Sequence, residues 1–87
     1  MSSTARKSES AGTPIAFDHE GQSLEVLAPS DWTVEALEAY EGGKVTTFLR
    51  AIMTPSAWAE FKSRAPRVSD LEGLVVAIQR AAGLSGN

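Results

Sequence analysis

Apolar and polar residues alternate at period two in two short stretches near the start of the chain. Ile15 and Phe17 alternate with Ala16 and Asp18; Leu24, Val26 and Ala28 alternate with Ser23, Glu25 and Leu27. Such alternation marks a half-buried strand. With His19-Glu20-Gly21 between the stretches, it predicts a hairpin over residues 14–28 in which Gly21 takes a positive φ. A lone hairpin is marginal in water, so its apolar face needs support from the rest of the chain.

Beyond the hairpin the period lengthens. Pro29-Ser30-Asp31 breaks the second strand, and Val34, Leu37 and Tyr40 then recur every third residue while Glu35, Glu38 and Glu41 take another face. This predicts a first helix over 33–41, ended by Gly42-Gly43 with one glycine in the left-handed position. Val45, Phe48, Leu49 and Ile52 fall at i, i+3, i+4 and i+7, the cleanest amphipathic stripe in the chain, and predict a second helix over 44–53.

Thr54-Pro55 offers an N-cap followed by proline at the first helical position, opening a third helix over 55–65. Its apolar face is Trp58, Phe61 and Ala65, Glu60 and Arg64 form an i,i+4 pair, and Pro66 stops it. Ser69-Asp70-Leu71-Glu72 has the form of a capping box for a fourth helix over 70–82, with Leu71, Leu74, Val75, Ile78 and Ala82 as its stripe and Gly83 as its close. The expected fold is α+β, mainly α: an N-terminal β-hairpin packed on four short helices, forming a single globular domain over 14–83. Residues 1–13 carry no large aliphatic or aromatic side chain after Met1 and read as a disordered arm; 84–87 read as a flexible end.

Length and composition agree with one small core. The chain has 87 residues, 43% of them hydrophobic, and a net charge of -3. The absence of cysteine excludes a disulfide framework, a thiol nucleophile and cysteine-ligated zinc. The longest apolar run, Leu74 to Ile78, is far short of a membrane span, and no export signal opens the chain. Charge is uneven: seven acidic residues and no Lys or Arg lie between Asp18 and Glu41, against five basic and one acidic between Lys44 and Arg67. Either the two regions lie close and compensate each other, or they form a bipolar surface that orients a partner or a second copy.

Candidate chemistry is sparse. His19, the only histidine, sits between Asp18 and Glu20, but adjacent side chains on an extended segment diverge, so a polar turn tip is the plainer reading. There is no G-x-S-x-G, no phosphate-binding glycine loop and no dinucleotide motif, so no enzymatic activity, cofactor, metal site or small-molecule substrate is expected. Lys62, Arg64 and Arg67 are the only candidate nucleic-acid contact, in a body whose net charge beyond residue 13 is -4; phosphate binding needs a concentrated positive face. Protein binding survives best. Tyr40, Trp32, Trp58 and Phe61 are by default core, whereas Met53, Val76 and Leu84 lie off the stripes or at helix edges and are the candidate partner-binding residues.

From Asp31 onward the chain resembles the tail assembly chaperones of long-tailed phages infecting actinobacteria. The resemblance lies in the layout of Asp31-Trp32, Leu37, Gly43, Leu49-Arg50, Trp58, Phe61, Pro66, Asp70-Leu71 and Ile78; the hairpin also looks like that family's N-terminal strand pair. Thr33 stands where that layout has a proline. The resemblance implies a non-enzymatic assembly factor. It would bind the tape measure protein in the host cytoplasm and be absent from the mature virion. The major tail protein and a second copy of the chain are further candidate partners. The family often makes a longer product by ribosomal frameshifting, and Ser85-Gly86-Asn87 can be encoded as TCG GGA AAC, which contains a slippery heptamer. A small DNA-binding regulator and a structural virion component (a connector or tail piece) are the alternatives.

Overall fold

A computed structural model describes residues 13–84. The arm expected over 1–13 and the flexible end over 84–87 fall outside the described residues, apart from Thr13 and Leu84. The architecture is α+β and mainly helical: strands β1 (Ile15–His19) and β2 (Gln22–Val26), a 3-10 turn at Pro29–Asp31, then α1 (Val34–Glu41), α2 (Val45–Ile52), α3 (Pro55–Lys62) and α4 (Val68–Ala81).

The hairpin follows from the alternation. Ile15 pairs with Val26 and Phe17 with Leu24, placing four apolar side chains on one face. Glu20 (φ 50) and Gly21 (φ 82) make a two-residue turn with both central residues left-handed, the geometry whose twist matches the strands. The inward face of β2 is buried at Gln22, Leu24 and Val26 and lies against α3, while β1 lies against α4. The hairpin does not end the pairing. Val26 forms an antiparallel bridge with Met53, the Leu27 N–H donates to the Ile52 carbonyl (2.7 Å), and the Thr54 N–H donates to the Glu25 carbonyl (3.3 Å). The α2–α3 junction is thereby tied to the edge of β2.

Among the helices α2 is central, touching α1, α3 and α4. Phe48, Leu49 and Ile52 are buried as their spacing predicts, together with Trp58 and Phe61 of α3 and Leu74 and Ile78 of α4. Trp32 anchors the 3-10 turn: its Nε1 donates to the Leu27 carbonyl (2.8 Å) and its ring meets Phe48 edge-on, with centroids 5.8 Å apart.

The helix ends differ from the sequence reading in physically interpretable ways. Thr33 and Thr54 cap α1 and α3, accepting from the N–H groups of Ala36 and Ala57. The third helix stops at Lys62 rather than continuing to residue 65. Ser63 Oγ donates to the Glu60 carbonyl, and Ala65 adopts φ 51 immediately before Pro66, which disfavours helical backbone at that position. Arg64 therefore leaves the helix, and its Nη1 donates to the Glu20 carbonyl at 2.9 Å, so the expected Glu60–Arg64 helical pair gives way to a clasp on the hairpin turn. The fourth helix begins at Val68, two residues early. Its N-cap is Arg67, whose N–H donates to the Asp70 carboxylate (2.7 Å), so the Ser69/Glu72 box is displaced by this closer acid.

Gly73 lies inside α4 where nothing requires a glycine: a Cβ there would sit 3.8 Å from His19 Cε1, an ordinary contact. Gly73→Ala is expected to raise the unfolding free energy by about 0.5–1 kcal/mol through helix propensity. Urea denaturation followed by circular dichroism checks this; a loss of stability would mean that His19 cannot accommodate the methyl group.

Candidate functional site

The first helix reverses the expected orientation. Its buried residues are Ala36 and Ala39, while Val34 is 66% exposed and Leu37 and Tyr40 remain on the surface. The small alanine face lets α1 lie closely on α2, and the larger side chains are left outside. Tyr40 is the link between this stripe and the core, its ring tilted on Phe48 at 4.8 Å between centroids.

From Tyr40 an open groove of about 780 Å³ runs between the α1–α2 junction and α4. Its floor is Val45, Leu71 and Val75, all half-buried against the core, and its lip is Val68, 84% exposed. Val68, Leu71 and Val75 stand at i, i+3 and i+7, one helical face. Because α4 begins at Val68, that residue projects from the first turn with no preceding turn to cover it.

Past Val68 and Leu71 lies a narrower recess of about 330 Å³, reaching Trp58, Phe61 and Pro66. Trp58 and Phe61 stack at 5.8 Å, and Lys62 Nζ lies 5.7 Å from the Trp58 ring centroid, within cation–π range. Trp58 is 8% exposed, and its buried Nε1 has no hydrogen-bond partner. An unsatisfied buried donor costs about 1–3 kcal/mol. The charged residues lining groove and recess are Lys44, Lys62, Arg67 and Glu72, giving them a positive balance in a body that is otherwise acidic.

The three residues singled out in the sequence fare differently. Met53 is 2% exposed and belongs to the core, because the α2–α3 junction pairs with β2; it is withdrawn as a surface residue. Val76 and Leu84 are exposed, but neither lines the groove. The groove residues were missed because their apolar character is spread over three elements. The signal was present in Val68, Leu71 and Val75, obscured by starting the helix at the later box.

His19 is the last residue of β1, half-buried against Gly73 of α4, rather than a turn tip; Asp18 and Glu20 are exposed. Among the described residues no cluster of three metal-binding side chains occurs, and no helix is long and apolar enough to cross a membrane. Of the three basic residues singled out in the sequence, Arg64 is held at the hairpin turn, Lys62 lies over Trp58, and Arg67 lines the same recess as Lys62. No family model, curated protein or solved structure matches the chain.

Proposed function

We propose that this protein is a non-enzymatic assembly factor, a tail assembly chaperone that binds the tape measure protein of a long-tailed actinobacteriophage in the host cytoplasm and leaves before the virion is complete. The observation that carries the binding half of this reading is the apolar groove. A small domain needs nearly all its large side chains for its core, yet this one leaves Val34, Leu37, Tyr40 and Val68 outside. The choice of client rests on the sequence layout from Asp31 to Ile78. Val76 and Leu84, exposed outside the groove, are proposed as further contacts. The major tail protein and a second copy are proposed as lesser partners.

A shallow groove on a small rigid body suits weak, reversible capture of exposed helical segments by many copies, a mode in which no single contact must be strong. Co-expression with the tape measure protein is expected to move that protein from the insoluble to the soluble fraction, and mass spectrometry of purified particles is expected to lack the chaperone. An unchanged soluble fraction would refute the chaperone role, and stoichiometric presence in particles would favour a structural component. The gene should lie between those for the major tail protein and a very long tape measure protein, with an overlapping downstream frame if the Ser85-Gly86-Asn87 codons slip.

A further inference from the structure

The shape and charge of the groove define its occupant more narrowly than a generic apolar surface would. The floor residues Val45, Leu71 and Val75 and the lip residue Val68 form an open, mainly apolar trough edged by Thr46, Thr47 and Ser69, a surface of the kind that takes the apolar face of an amphipathic helix. Three cations and one carboxylate line it and its recess, whereas the chain beyond residue 13 carries -4. The cations stand at both ends: Lys44 beside Tyr40, and Lys62 with Arg67 around the recess. A body of net negative charge repels carboxylates in general, so an acidic partner is favoured only where its carboxylates meet Lys44 and the positive recess of Lys62 and Arg67, while Glu72 keeps the middle of the trough neutral.

We propose that the groove between the α1–α2 junction and α4 takes an amphipathic helix of another protein whose apolar stripe is flanked by Asp or Glu, the carboxylates meeting Lys44 at one end and Lys62 and Arg67 at the other. This rests on the chaperone reading and deepens it, since it states which segments of a client are captured: acidic-flanked helices rather than basic ones. Association is salt-sensitive because the selecting charges are at the rim.

The test uses the full chain and two synthetic helical peptides sharing one leucine stripe, one flanked by glutamates and one by lysines, with binding read by fluorescence anisotropy. The glutamate peptide is expected to bind at least about tenfold more tightly at low salt, and the preference to shrink as salt is raised. Val68→Asp, at the first position of α4 where an acid is tolerated, is expected to weaken the glutamate peptide by about tenfold or more. Ser56→Asp, carrying the same charge change on α3 away from the groove, is expected to bind as the wild type. The double variant Lys44→Glu/Arg67→Glu is expected to reverse the preference toward the lysine peptide. Equal binding of the two peptides, or full affinity in Val68→Asp, overturns the proposal. So does self-association that competes with the peptide, which would make a second copy the occupant. If neither peptide binds while the tape measure protein is still solubilised, the groove assignment falls and the chaperone reading stands.

Discussion

Leu49→Ala is expected to lower the unfolding free energy by about 3–4 kcal/mol, the upper part of the range for truncating a fully buried leucine. Leu49 is fully enclosed on α2, the helix that touches α1, α3 and α4, so the cavity would open where three packing interfaces meet. Collapse into that cavity is restricted because α2 is fixed at its C-terminal end by the Leu27–Ile52 hydrogen bond. Small domains often hold only about 5 kcal/mol in reserve, so the variant should show a broad, early thermal transition. Chemical denaturation provides the measurement. A loss under about 1 kcal/mol would show that α2 is not the centre of the core.

The second large effect concerns α1 and distinguishes two orientations of the same helix. Ala36→Leu is expected to cost about 1–3 kcal/mol, because Ala36 is 2% exposed on the face that lies on α2 and a larger side chain forces the helices apart. Leu37→Ser, one residue away, is expected to cost less than about 1 kcal/mol, since Leu37 is about half exposed and lies off the α2 contact. Helix propensity opposes this contrast, because leucine is a good helix former and serine a poorer one. The order of the two losses therefore reports burial. The reverse order would put Val34, Leu37 and Tyr40 back in the core and remove the exposed stripe beside the groove.

That contrast shows where sequence reasoning stopped. The α2 stripe was legible because its large residues sit at helical spacing and all turn inward, and the hairpin because strict alternation and Gly21 leave one workable register. The face of α1 was not. Ala36 and Ala39 signal nothing by size, and only the close approach of α2 makes a small residue the better inward choice. Glu20 in a left-handed conformation was equally hidden, since its residue type does not favour it; the two-residue turn requires it, and Arg64, forty-four positions away, adds a clasp on its carbonyl. Met53 misled for a related reason: its burial comes from pairing with Val26, a contact that periodicity along one segment cannot reveal. The groove combines both difficulties, being built from one lip residue at a misplaced helix start and floor residues drawn from separate elements.

The backbone links joining residues 25–27 to 52–54 have a kinetic consequence. They close a loop that contains α1 and α2, so the amides of Leu27 and Met53, although outside any named strand, should exchange with deuterium as slowly as those at the middle of α2. The strand edge and the α2–α3 junction should then open together, whereas α1, which packs on α2, should fray without loosening that edge.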